Sequence, residues 1–257
     1  MSTITLTAEE CKRALAAVVR SMSDDETRPH LACVLVEAWG ATCRFVTTDG
    51  HRLARYDAEC DPVLDDTTEA KHVEKSARVS IMIPRGAVDT LTRALKANRS
   101  PPGSVTIDTG SITVAVCGGL TTIPLSDSGA QFPSYEQVVP ARMMLASWVG
   151  FVGCTPSYIV EAMAAFQDAF VPKSSGTRKR SSAPGLCVTM QPSGELDPIV
   201  FTSEQVPRLL VLVMPARVTA QGEVLPGGAV PVHKPTPKLE GEPVTYAGLV
   251  ESVRKAS

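Results

Sequence analysis

The chain has 257 residues, of which 44% are hydrophobic and 20% are charged, and its formal net charge is −2. This composition excludes a largely disordered chain, and the near-neutral charge excludes a strong overall attraction to nucleic acid or to an acidic membrane. The seven cysteines are scattered without a CxxC pair, which argues against a zinc site or a disulfide framework and favours buried thiols in a reducing compartment. Because no signal-peptide pattern and no apolar stretch of about 18 residues occurs, we expect a cytoplasmic protein.

The first predicted elements are a short strand over residues 2–6 and a helix over residues 8–22. Thr7 and Glu10 form the T-x-x-E pattern of a capping box, which predicts the start of the helix. Glycine-containing turns at Gly40-Ala41 and Asp49-Gly50 separate the strands that follow, and Asp-Gly is a strong hairpin signal. These strands are predicted over residues 31–39, 42–48 and 52–59.

The same order of elements recurs twice along the chain. The second copy has a strand over 79–83, a helix over 84–98, and strands over 104–109, 111–116 and 120–125. The third copy has a strand over 148–153, a helix over 156–170 that begins after Thr155, and strands over 186–191, 198–203 and 208–215. Three βαβββ units in register predict an α+β fold built from a repeated unit.

Motifs that would indicate catalysis are missing from the sequence. HExxH, GxGxxG, GxxxxGK[ST] and GxSxG do not occur, and none of the four histidines has a partner at the spacing of metal ligands. The sequence therefore predicts no catalytic residue, no metal and no cofactor, and we expect a protein that is not an enzyme.

Four segments in a fixed order indicate a family. They are RPHLACVLVE from residue 28, TTDGHRLA from residue 47, FPSYEQVVP from residue 132 and LLVLVMPAR from residue 209. Together, on a βαβββ repeat, they resemble the bacterial DNA polymerase III beta subunit, the sliding clamp, over roughly residues 2–218. This resemblance implies the DNA-clamp fold, a ring whose helices line a hole for duplex DNA and whose sheets face outward. It also implies a mechanical function, in which the ring tethers polymerases and repair proteins through short peptides.

The resemblance implies a pocket for such peptides. Matched motif by motif, the pocket comprises Leu31, Thr48, Gly50, His51, Arg52, Leu53, Pro133, Val138, Leu212, Met214, Pro215 and Arg217. The residue types fit this role, since Gly50 permits a turn with positive φ and Met214 adapts its shape to varied guests. The leucines, Val138 and the prolines are expected to form apolar walls, and His51, Arg52 and Arg217 a polar rim.

The length differs from that of the family, whose chains hold three domains of two units each. Residues 1–140 resemble the middle domain, residues 141–218 resemble the second half of the last domain, and residues 219–257 form a Gly/Pro-rich tail with a short C-terminal helix. We therefore predict a shortened form, one full clamp domain plus a half domain, that lacks the first domain and half of the last. The resemblance places the ring-closing contacts of the family on the parts that such a form lacks.

Basic residues on the predicted inner helices and in one loop are the candidates for DNA contact, because phosphate binding requires Lys or Arg. These residues are Lys12, Arg13, Arg20, Arg85, Arg93, Lys96, Arg99, Lys173, Arg178, Lys179 and Arg180. The third helix carries Glu161 and Asp168 and no basic residue, so it is not expected to contribute.

Two functions follow from these observations. The first is a non-enzymatic replication or repair factor that binds the clamp-binding motifs of DNA polymerase or clamp-loader subunits and tethers them to double-stranded DNA as a homo-oligomeric ring. The alternative is a monomeric decoy or regulator that captures clamp-binding proteins without encircling DNA. Oligomeric state discriminates between them.

Overall fold

The computed structural model describes residues 3–63, 79–97, 103–116, 119–126, 129–140, 153–170, 186–192 and 197–216. The chain divides into two units, Met1–Arg217 and Val218–Ser257, and every described residue belongs to the first. The predicted C-terminal helix, the basic loop at residues 172–184 and most of the strand at 148–153 lie outside the described residues.

The helices and strands of the first unit follow the predicted order, except that one strand replaces those predicted over 31–39 and 42–48 and that no strand is described over 148–153. The helices are α1 (Ala8–Val18), α2 (Arg85–Ala97) and α3 (Pro156–Ala169). The strands are β1 (Ile4–Thr7), β2 (Cys33–Thr48), β3 (Arg52–Val63), β4 (Val79–Pro84), β5 (Ser104–Ile107), β6 (Ser111–Val116), β7 (Gly119–Pro124), β8 (Thr189–Pro192), β9 (Ile199–Thr202) and β10 (Leu209–Val213).

The start of α1 confirms one half of the predicted capping box. The backbone N–H of Glu10 donates to Thr7 Oγ1 at 3.2 Å, which satisfies a donor that the first helical turn leaves unpaired. The carboxylate of Glu10 instead accepts from Arg13 at 2.6 Å and from Arg208 at 3.0 Å. The α-helix ends at Val18, earlier than predicted, and a single 3₁₀ turn continues it to Ser21.

Residues 33–48 form one extended element, whereas the sequence predicts two strands with a turn at Gly40-Ala41. Gly40 has a φ of +53°, and the pairing with β3 shifts register between Gly40 and Thr42. Leu35 and Val46, eleven positions apart, lie in the same apolar cluster. In a straight strand residues an odd number of positions apart face opposite sides of the sheet, so the side-chain alternation changes phase at Gly40. The predicted turn is thus a bend within a continuous β-segment.

Two antiparallel sheets form, and the first two repeats exchange their first strands. The larger sheet has the order β4-β2-β3-β10-β9-β8, and the smaller has the order β1-β5-β6-β7. β4, from the second repeat, pairs with β2 of the first, and β1, from the first repeat, pairs with β5 of the second. Neither repeat therefore forms a complete sheet without the other.

The larger sheet also crosses the predicted boundary near residue 140. β3 pairs with β10 from Leu209↔Tyr56 to Val213↔Arg52, so a strand of the third repeat continues the sheet of the first. The division of the chain into a full clamp domain, a partial domain and a tail stays a prediction. The residues assigned to the full domain and to the partial domain share one sheet.

The main core lies between the helices and one face of each sheet. Fully buried side chains from both sheets and all three helices form it, among them Leu15, Phe45, Leu91, Phe166 and Phe201. A second, smaller cluster lies apart from this core and contains Leu35, Val46, Leu53, Tyr135, Val200, Leu210 and Leu212. We call it the outer cluster. Among the described residues, none of the helices has the length and hydrophobicity of a membrane-spanning helix.

Candidate functional site

The segment TTDGHR forms a tight turn between β2 and β3. Gly50 has a φ of +93°, a conformation that favours glycine. Asp49 Oδ1 accepts from the backbone N–H groups of His51 and Arg52 at 2.8 and 2.9 Å, and Thr48 Oγ1 donates to the carbonyl of Arg52 at 2.8 Å. The predicted Asp-Gly hairpin turn is confirmed, and its side chains hold the backbone in one conformation.

The end of β10 lies against this turn. Leu212 and Leu53 are paired across the two strands, and the backbone N–H of Met214 donates to the carbonyl of His51 at 2.7 Å. Pro215 follows directly. Segments more than 150 residues apart in the chain therefore meet.

The connector, residues 132–139, joins the site through Tyr135. This tyrosine is buried in the outer cluster together with Leu53 and Leu212, and Phe132 packs against it edge to face. The Tyr135 hydroxyl donates to the carboxylate of Glu37. Burial, and next the hydrogen bond to Glu37, raise the pKa of Tyr135 to about 12. The connector is thus held on the outer face of the sheet by an apolar contact and by a charge-assisted hydrogen bond.

The exposed apolar groups at the site are fewer than the sequence predicts. Leu53 is 3% exposed and Leu212 is 2% exposed, whereas Met214 is 37% exposed and Val138 is 43% exposed. Leu53 and Leu212 are paired and lie in the outer cluster, and the exposed Met214 follows Leu212 by two residues. We call these three residues the apolar notch.

Arg52 does not form the polar rim that the sequence predicts. Its side chain is only 12% exposed and forms ion pairs with Asp49 at 2.9 Å and with Glu161. Its guanidinium lies 4.9 Å from the ring centre of Tyr158, a cation–π geometry. Arg52 therefore fastens the turn to α3 instead of facing a guest. His51 is exposed and stacks on Tyr158 with ring centres 6.2 Å apart.

Three further predicted pocket residues have no contact with the turn among those described above. Leu31 is buried two residues before β2, in neither apolar cluster, and its backbone pairs with Ser23 and Arg28. Pro133 lines a groove of about 690 Å³ that runs along β4 beside Leu35 and Met82. Arg217 lies outside the described residues.

Sequence reasoning missed the contribution of α3 and of Tyr135. Tyr158 and Glu161 lie more than 100 residues from the turn that they contact, and no local pattern marks them. Tyr135 lies within the FPSYEQVVP segment, and an aromatic residue among polar neighbours is the feature of this segment that indicates a buried contact. The Asx arrangement of Asp49 was likewise readable from TTDG.

The basic candidates divide into paired and exposed groups. Arg13 contacts Glu10, Arg20 contacts Asp168 at 2.8 Å, and Arg85 contacts Asp24 at 2.6 Å. Lys12, Lys96 and Arg93 are exposed. Arg99, Lys173, Arg178, Lys179 and Arg180 lie outside the described residues.

A groove runs along the helix face where α1 meets α2. Its volume is about 740 Å³, and its lining residues are Lys12, Leu15, Ala16, Val19, Arg20, Thr92, Leu95, Lys96 and Asp168. Three cations, one carboxylate and the threonine thus line the groove together with four apolar residues. Both acidic residues of α3 form ion pairs with other elements: Asp168 pairs with Arg20, directly after α1, and Glu161 pairs with Arg52 of β3.

Within the described part of the chain, no group of three or more His, Cys, Asp or Glu side chains is placed to hold a metal ion. The buried Cys11 has its pKa raised to about 12 by burial, and Cys33 to about 11. These thiols remain protonated near neutral pH and do not act as thiolates.

Comparison with known proteins agrees with the resemblance seen in the sequence. Residues 5–134 match the family model described as the DNA polymerase III beta subunit, central domain. The chain is 28% identical over 138 residues to the beta sliding clamp of Pseudomonas putida, a match that covers 54% of this chain and 34% of that protein. It is 31% identical over 136 residues to the beta sliding clamp of Escherichia coli, covering 53% and 33%. The matched segment thus spans about one third of these relatives.

Solved structures show the same fold. The DNA polymerase sliding clamp of Pseudomonas aeruginosa superposes with a TM-score of 0.59 at 16% identity, covering 85% of this chain and 67% of that chain. The DNA polymerase III beta subunit of Thermotoga maritima superposes with a TM-score of 0.57 at 15% identity, covering 85% and 66%. The structural match thus extends beyond the segment that the family model covers.

Proposed function

The chain belongs to the DNA polymerase III beta subunit family, and on this premise we propose that it is a non-enzymatic clamp-type protein whose apolar notch binds short peptides of polymerase or clamp-loader subunits. The observation that carries the proposal is the meeting of the Gly50 turn, the Met214 strand end and the connector on one face of the sheet. A rigid turn beside an exposed methionine suits an extended guest with apolar anchors.

Replacing Met214 by alanine is expected to weaken the binding of a peptide with the pattern Gln-x-x-Leu-Phe by 1 kcal/mol or more, about fivefold or more in Kd. Met214 is the exposed apolar side chain of the notch, and truncation removes the surface that an aliphatic or aromatic anchor would cover. Isothermal titration calorimetry with the folded protein measures the change.

The matched control is Leu120→Ala. Leu120 is 71% exposed on β7, in the smaller sheet, so its truncation removes a comparable exposed side chain away from the notch. Peptide affinity unaffected by Met214→Ala, or equally reduced by Leu120→Ala, contradicts the assignment of the notch. An absence of peptide binding to the folded wild-type protein contradicts the proposed function.

We further propose that the helix face contacts the DNA backbone. The support is the groove between α1 and α2, where Lys12 and Lys96 present exposed ammonium groups. Lys12→Gln combined with Lys96→Gln is expected to weaken binding to duplex DNA and to lower the slope of log K against log salt by about 2, because each phosphate contact contributes about 0.9. Fluorescence anisotropy at salt concentrations from about 50 to about 200 mM measures the slope, because the affinity of proteins for DNA changes strongly over this range.

The charge-preserving pair Lys12→Arg and Lys96→Arg is the control and should keep the slope of the wild type. A Gln variant that binds with an unchanged slope shows that these lysines do not contact phosphate.

Light scattering of the peptide-bound protein then separates the two functions, since a closed oligomer supports a DNA-tethering ring and a monomer supports the decoy or regulator.

A further inference from the structure

Arg55 occupies the outer face of the sheet beside the apolar notch. On β3 it is paired with Val46 of β2 and Leu210 of β10. Directly paired residues of an antiparallel sheet point to the same face, and both partners belong to the outer cluster. Leu53, a residue of the notch, is two residues away on the same strand, a distance of about 7 Å.

The guanidinium of Arg55 has no fixed anionic partner in the described part of the chain. It forms no hydrogen bond or ion pair there, and its Nε is buried without an acceptor. The nearest candidate on the same strand, Asp57, is engaged by Arg44 through both of its oxygens, at 2.7 and 3.0 Å. Because the Nε is buried, an anionic ligand would bind the terminal nitrogens of the guanidinium, which are not buried.

The electrostatic surroundings agree with this description. Burial, followed by the positive charge of Arg44, lowers the pKa of Arg55, while Asp57, Tyr135 and Glu136 act in the opposite direction. Tyr135 of the connector belongs to the outer cluster, as do both strand partners of Arg55, so the connector packs on the face of the sheet that Arg55 occupies. Arg55 and Leu53 are neighbours on this face of β3 and are paired with Leu210 and Leu212 of β10, so a guest lying over Leu53 is about 7 Å from Arg55.

We propose that Arg55 is an anion-recognising residue of the notch and that the peptide guest carries a carboxylate next to its apolar anchors. This inference rests on the proposed function, since it specifies the chemistry of the same guest. Arginine presents two parallel N–H donors that match the two oxygens of a carboxylate. The carboxylate comes either from an Asp or Glu side chain or from the C-terminus of the guest, and the two sources are separated by experiment.

The test is a double-mutant cycle between the protein and the peptide. Peptides with Leu and Phe anchors are compared as Asp and Asn versions at each intervening position, and each is made with a free carboxylate and with an amide at its C-terminus. We expect the wild type to prefer one carboxylate version over its amide by about tenfold in Kd, as for a hydrogen-bonded charge pair. Arg55→Gln should bind both versions equally, and Arg55→Lys should retain part of the preference.

The outcomes are distinguishable. A preference confined to the Asp peptides assigns the anion to a side chain, and one confined to the free C-terminus assigns it to the terminus; both support the proposal when Arg55→Gln abolishes them. Peptides that bind wild type without any carboxylate preference, or a preference that persists in Arg55→Gln, overturn the inference and leave the proposed function intact. If no peptide binds the folded wild-type protein, the proposed function fails and the inference fails with it. Circular dichroism confirms that each variant is folded.

Discussion

Replacing Phe45 by alanine is expected to lower the free energy of unfolding by about 3–5 kcal/mol. Phe45 lies in β2, is fully buried, and packs in the core between the helices and the larger sheet. Alanine loses the transfer free energy of the ring and leaves a cavity that the surrounding strands fill only partly. Urea unfolding followed by circular dichroism gives the difference in free energy and shows whether the slope m is unchanged.

Leu120→Ala is the control for this measurement. Leu120 is large and apolar but 71% exposed, so we expect a change within about 0.5 kcal/mol. If Phe45→Ala costs as little as Leu120→Ala, Phe45 is not in a packed core and the placement of β2 is wrong. A loss of peptide affinity in Phe45→Ala at a temperature where the protein stays folded would indicate that the core also positions the notch.

Replacing Val211 by proline is expected to lower the free energy of unfolding by about 3 kcal/mol or more. Val211 is the middle residue of β10 and is paired with Ala54 on one side and with Phe201 on the other. Proline has no N–H to donate and leaves a buried carbonyl without a partner, at a cost of about 1–3 kcal/mol, and the valine side chain loses burial worth about 1.5–3 kcal/mol. Because β10 carries Met214 to the carbonyl of His51, peptide binding should fall as well.

Val211→Ala separates the two contributions because alanine retains the backbone N–H. We expect it to cost about 1–2 kcal/mol, the value for two buried carbon groups, and to leave peptide affinity near that of the wild type. A proline variant as stable as the alanine variant would contradict the pairing of β10 with β3 and β9, and with it the convergence of the turn and the strand end.

Much of the local structure was predictable because it depends on neighbouring residues. The capped start of α1 at Thr7 and the Asp49-Gly50 turn follow from side-chain and backbone preferences that act within a few residues. Gly40 was predicted as a turn between two strands, and the structure has a bend within one strand. A glycine marks where the backbone changes direction, but the neighbouring strands β3 and β4 decide how far the extended conformation continues.

Site residues were predicted from motifs and not from contacts. The motifs identified Met214, His51 and Leu53, which the structure brings together. They did not indicate that Arg52 pairs with Glu161 and therefore cannot serve as an exposed rim. An ion pair between residues over 100 positions apart has no signature in either segment, since each charge alone is equally consistent with a solvated surface side chain.

The sequence by itself determined the type of most elements, the repeat and the family. Hydrophobic periodicity, caps and turn residues depend only on residues that are close together in the sequence, so they can be read without the structure. Only the tertiary structure decided which strands are neighbours, that β1 and β4 exchange between repeats, and that β10 extends the sheet of β3. Strand pairing is decided by which faces bury each other when the whole chain is compact, and many pairings are compatible with the same alternating pattern. The notch, and the position of Arg55 beside it, depend on the pairing of β3 with β2 and β10.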